Sequence, residues 1–160
     1  MYRYDEQEKK LEIKRNVFNF SKEEFTLVSR PIEYKGMLYF IHPFEWECKG
    51  EIIKYNLDKK IIEKKLDIEE ENMTIKDIFL SQDNQIYLLI GFLSGTVSIG
   101  GNLYKCDLEL NNLKLIREFD ENIQVTQIIK ETDKGLKLKG LEYVDLDFID
   151  SEEIEFEVEK

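Results

Sequence analysis

The one histidine, the one tryptophan and one of the two cysteines of this chain fall within a single short run, His42-Pro43-Phe44-Glu45-Trp46-Glu47-Cys48. Imidazole, thiolate and carboxylate are the groups that bind Zn²⁺ and its neighbours, and a loop can converge them. His42, Glu45, Glu47 and Cys48 are therefore the candidate metal ligands. Their spacing is not diagnostic, because neither a Cys-x-x-Cys nor a His-x-x-x-His pair is present. A Cys48–His42 nucleophilic pair would need a third group to orient the base. The competing reading is a hairpin loop that folds Phe44 and Trp46 over a sheet or offers them to a partner.

A second run, Gly91-Phe92-Leu93-Ser94-Gly95-Thr96-Val97-Ser98-Ile99-Gly100-Gly101, is rich in glycine. A phosphate cradle needs backbone N–H groups feeding a helix N-terminus, whereas a strand pattern follows here and Gly-Lys-Ser/Thr is absent. It reads as a long loop whose apolar residues pack back or meet another molecule. Paired carboxylates could serve glycoside hydrolysis, but 34 acidic residues make such pairs unavoidable, so they identify nothing.

The elements that must position these residues are strands. Alanine, the best helix former, is absent, while 10 Phe and 8 Tyr favour β structure. A hairpin phrase occurs three times. Tyr2-Arg3-Tyr4-Asp5, Ile53-Lys54-Tyr55-Asn56 and Tyr104-Lys105-Cys106-Asp107 each end in Asp or Asn. Each is followed by a second alternating segment, Leu11-Glu12-Ile13, Ile61-Ile62-Glu63 or Leu113-Lys114-Leu115. Ahead of two of these hairpins lie the near-continuous apolar strands Met37–Ile41 and Gln85–Ile90, as expected when both faces are buried. Turns are expected at Lys35-Gly36, Ser81–Asn84 and Thr132–Gly135. Ser21-Lys22-Glu23-Glu24 has capping-box spacing for one helical turn. Loops are expected from His42 to Lys49 and from Gly91 to Gly100.

A four-strand unit repeated at about this spacing resembles a β-propeller blade. The residues that carry the resemblance are Gly36-Met37-Leu38-Tyr39 with Asp83-Asn84-Gln85-Ile86-Tyr87, and Gly50-Glu51-Ile52-Ile53-Lys54 with Gly101-Asn102-Leu103-Tyr104-Lys105. Small uncharacterised bacterial proteins are built from similar units. The chain departs from the pattern in having two good units, a poorer third and a half, with no Trp-Asp or kelch-type motif. The expectation is one all-β domain over 1–160. It holds a half-unit at 1–20 and units at about 25–67, 72–120 and 123–158, arranged as an incomplete or open propeller. A β-sandwich is the alternative.

In an up-and-down blade, the loop between strands two and three shares an end with the connection to the next blade. That topology gathers Glu45, Glu47, Asp67, Glu69, Glu70, Glu71, Asp120 and Glu121 beside Phe44, Trp46 and Phe92. Net charge is −11, and nine acids against one base in the last twenty residues supply most of it. Nucleic acid would be repelled, and a basic protein or peptide attracted. Two cysteines make no disulfide framework, no apolar run is long enough to span a membrane, and the N-terminus lacks a signal-like core, so a cytoplasmic location is expected. The expected role is a non-catalytic binding or assembly module. It acts through Phe44, Trp46, Phe92, Glu69, Glu70 and Glu71, with no cofactor, and its partner is a basic protein or a second copy. The alternative is a metal-dependent enzyme or sensor using the His42–Cys48 loop with Zn²⁺, or with Ca²⁺ on the acidic rim.

Overall fold

A computed structural model describes residues 2–5, 10–13, 26–27, 31–44, 49–68, 70, 72–94, 97–144 and 150–160. Among these, regular structure is entirely β. β1 (Tyr2–Asp5), β2 (Lys10–Ile13) and β3 (Thr26–Leu27) form one small sheet. β4 (Ile32–Tyr34), β5 (Met37–Phe44), β6 (Lys49–Asn56) and β7 (Ile61–Asp67) form an antiparallel meander, unit 1. β8 (Met73–Leu80), β9 (Gln85–Ser94), β10 (Val97–Asp107) and β11 (Lys114–Arg117) repeat it as unit 2. β12 (Ile123–Glu131), β13 (Leu136–Tyr143) and β14 (Ser151–Val158) make unit 3, which has three strands. These are propeller-blade-like units in an open arrangement. All three repeated hairpins are present in register, with Tyr2 opposite Ile13, Asn56 opposite Ile61, and Lys105 opposite Lys114.

Two of the expected loops are in part strand. β5 continues through His42 to Phe44, and only 45–48 separates it from β6. Pro43 has no N–H to give a ladder. It is tolerated because β4 pairs only as far as Tyr39, leaving the rest of β5 without a β4 partner. The glycine-rich run is likewise the paired ends of β9 and β10, with Phe92 opposite Ile99 and a bulge at Gly100-Gly101. In unit 3, β13 runs unbroken to Tyr143, and 145–149 lie outside the described residues, as does the expected helical turn at Ser21.

The recurring Asp or Asn has a physical reason. Asn56 Oδ1 accepts the N–H groups of Asp58 at 3.1 Å and Lys59 at 2.9 Å. Asp107 Oδ1 accepts those of Glu109 and Asn111, both at 2.9 Å. Each side chain closes the turn that follows its strand. In the second case the turn holds Leu110 at φ 52° and drives its side chain into the core. The backbone N–H of Asn111, with the other turn bonds, holds the Asp107 carboxyl below its ordinary range against the opposing effect of burial.

The units pack face to face. Along β9, Ile86, Leu88 and Ile90 join Tyr39, Ile41 and Ile52 of unit 1. The intervening Tyr87 and Leu89 join Val125, Ile128, Leu136 and Leu138 of unit 3. The opposite face of β5 carries Leu38 and Phe40, in a third cluster with Ile53 and Tyr55. What lets the sheets come this close is the pair of hairpin glycines. A Cβ on Gly50 would lie 2.9 Å from Thr74 Oγ1, and one on Gly101 would lie 2.7 Å from the Val125 carbonyl oxygen. In both cases the third strand of one unit receives the first strand of the next against bare backbone. Polar contacts follow the same seams: Tyr39 donates to the Leu108 carbonyl at 3.1 Å, Lys54 meets Glu109 at 2.6 Å, and Asp77 accepts the Ile128 N–H at 2.7 Å.

Gly101→Ala is expected to lower stability by about 2 kcal/mol, as overpacking does where the obstructing atom is backbone. Urea unfolding at pH 7 checks it. Gly100→Ala, with open space around its Cβ position, tests instead the cost of φ +62° alone and should be milder.

Candidate functional site

Strand register places the sequence-predicted rim at one end of the stack. Phe44 faces Lys49, Glu51 faces Asp67, and Met73 faces Phe92. The Gly50–Thr74 and Gly101–Val125 approaches bring the starts of β6, β8, β10 and β12 to that same end. Asp67, Glu70, Asp120 and Glu121 are exposed there, and Phe92 is 36% exposed. Glu45, Trp46, Glu47, Cys48, Glu69 and Glu71 lie outside the described residues, and Phe44 closes β5 at this end. Burial, and then the fields of Glu70 and Glu118, push the Tyr104 phenol up. Tyr104 read in sequence only as a hairpin strand residue.

His42 behaves differently from a loop ligand. Its ring is fully buried in β5, and Nδ1 lies 2.9 Å from Glu51 Oε1 on β6. Lys65 on β7 donates to the same oxygen at 2.7 Å. Burial alone would raise the Glu51 carboxyl. The hydrogen bonds from His42 and Lys65, the Lys65 charge and a hydrogen bond with Asp67 outweigh it and hold the group below its ordinary range. An ionised carboxylate only accepts, so the proton of the His42–Glu51 contact sits on Nδ1. The arrangement stitches β5, β6 and β7 together just beneath the rim. Sequence reasoning had the histidine but missed Glu51 and Lys65. Their signal was alternation: both point to one face of a hairpin otherwise read for its apolar residues.

Among the described residues no group of three or more His, Cys, Asp and Glu side chains is placed to hold a metal. Cys106 is buried in the core between units 1 and 2, and burial pushes its thiol up to about 12, so it holds no appreciable thiolate at neutral pH.

A domain of unknown function, DUF4652, matches residues 42–159, which is most of the chain, and the chain belongs to that family. The match begins at His42 and ends one residue short of Lys160, so it takes in the rim, the His42–Glu51–Lys65 cluster and all of unit 3. A crystal structure of a protein assigned as a conserved lipoprotein from Clostridium novyi NT has a similar fold, with TM-score 0.65 and 24% identity over 84% of this chain and 88% of that one. No curated protein matches.

Glu51→Gln is expected to destabilise at pH 7 by about 2 kcal/mol, less than the ~3–5 typical of a broken, fully buried pair, because Lys65 reaches water. Since the Glu51 carboxyl is depressed, its contribution is present above about pH 4.3 and is lost as pH falls through the lower folded value. Urea midpoints of wild type and variant should therefore converge in acid.

Proposed function

We propose that the protein is a non-catalytic binding module whose acidic, aromatic rim takes a basic protein or peptide. The observation that supports this reading best is the meeting at one end of exposed Asp67, Glu70, Asp120 and Glu121 with the partly exposed Phe92. Aromatic anchors within complementary charge are what such interfaces use: the ring supplies buried area, and the acids supply steering and partner choice. The sequence reading puts the partner in the cytoplasm. The lipoprotein assignment of the Clostridium novyi protein brings the cell envelope into the same search.

Charge reversal at Glu70, Asp120 and Glu121 together is expected to weaken binding of a lysine-rich peptide at least tenfold, and Phe92→Ala several-fold. Fluorescence anisotropy at low and moderate salt reads both effects. Unchanged affinity in both variants would remove the rim from the reading.

A further inference from the structure

In units 1 and 2 the third strand is interior. β6 lies between β5 and β7, and β10 lies between β9 and β11. In unit 3 the third strand, β14, has β13 on one side and no strand on the other among the described residues. The difference shows in burial. Every residue of β6 from Gly50 to Asn56 is buried, while no residue of β14 is. Phe156 and Val158 pack against the core and Ile154 shares their face, yet all three are only partly buried, and Phe156 meets the Phe119 ring edge to face with centroids 5.6 Å apart. β14 is eight residues long, against four for the fourth strand of unit 2. Among the described residues it thus presents a long row of backbone donors and acceptors where the other units have placed a strand.

We propose that this edge is a β-augmentation site, and that its occupant is an extended basic segment of another protein, docked as the fourth strand of unit 3. Main-chain pairing supplies the affinity in such additions, and alternate side chains supply the selection. Here the selecting side chains are glutamates. Glu153, Glu155 and Glu157 are exposed on the outward face, Glu152 is exposed at the start of the strand on the other face, and Lys139 and Lys137 on β13 pair with Glu153 and Glu155. Acidic side chains on an edge deter strands of like charge. The same field favours a strand that alternates lysine or arginine with apolar residues, the apolar side chains falling over Ile154, Phe156 and Val158. Cross-strand pairs of opposite charge each add a little, roughly 0.2–1 kcal/mol, so selection comes from several acting together. The inference rests on the reading of the protein as a binder of basic partners but places the contact along the outer edge of unit 3, which reaches the rim only at its Ser151-Glu152 end.

The test is backbone hydrogen exchange of the full chain with a capped peptide alternating lysine with valine. A peptide of equal charge with proline in place of valine serves as control, since proline cannot supply the ladder N–H groups. The alternating peptide should slow exchange at Glu152–Val158 at least tenfold and the proline peptide should not. Glu152→Lys with Glu157→Lys should abolish that protection. These two glutamates are chosen because Glu153 and Glu155 carry the pairs to β13 that help hold the strand. Charge reversal at Glu70, Asp120 and Glu121 should leave it intact. Equal protection by both peptides, protection by neither, or loss on changing the rim instead of β14 would overturn the proposal, and the last result would leave the rim reading standing. Concentration-dependent protection of β14 without any peptide would overturn it in favour of a second copy.

Discussion

The approach of one backbone to another at the seams between units is the constraint on which the rest of this structure depends. β8 can lie against β6, and β12 against β10, only because Gly50 and Gly101 carry no side chain. With the sheets that close, β9 buries residues on both faces, and five successive positions from Ile86 to Ile90 leave water. Burial of a large aliphatic side chain stabilises by roughly 1.5–3 kcal/mol, so this strand outweighs any of the surface ion pairs, whose median is about 0–1 kcal/mol. The seam then dictates the polar contacts. Asp77 and Ile128 meet because the bulges of β8 and β12 lie side by side, and Leu110 enters the core because Asp107 fixes the turn that carries it.

The fold was legible where periodicity and turn chemistry agreed. Met37–Ile41 and Gln85–Ile90 read as strands buried on both faces, and both are strands, buried at every position from Leu38 to Ile41 and from Ile86 to Ile90. The spacing of Gly50 and Gly101 marked a repeat, although their role as contact points between units depends on which strand crosses them, which no single chain pattern encodes. Local composition misled at Pro43 and at the Gly91–Gly101 run. Proline and glycine usually end strands, but here the pairing partners of β5 and β9 extend far enough to override that preference.

The candidate site was legible in outline and not in detail. Alternating strand direction put Asp67, Glu70, Phe92, Asp120 and Glu121 at one end, a consequence of topology that survives errors of a residue or two in each boundary. The fate of His42 was not legible. Whether a histidine beside a predicted loop is a ligand or a core residue depends on one more strand pair, and on that pair hangs the proximity of Glu51 and Lys65. A lone histidine on an otherwise apolar strand became part of a buried charge cluster because the hairpin opposite happened to offer a carboxylate in register.

The two ends of the stack are chemically unlike. The outward face of unit 1 is apolar, with Leu38, Phe40, Ile53 and Tyr55 buried on it and β3 close to β5. The outward face of unit 3 carries Lys137 and Lys139 paired with Glu155 and Glu153 at 2.6 and 3.0 Å. Another blade stacked on that face would have to desolvate four charges, at a penalty of several kcal/mol per ion even after relaxation. Stacking on that face is therefore disfavoured, as it is at the polar terminal repeats of other repeat proteins. An array that grows poorly face to face can still grow or bind in the plane of its sheets. Among the described residues this makes the unpaired edge of the last sheet, and not its face, the direction in which the architecture remains open.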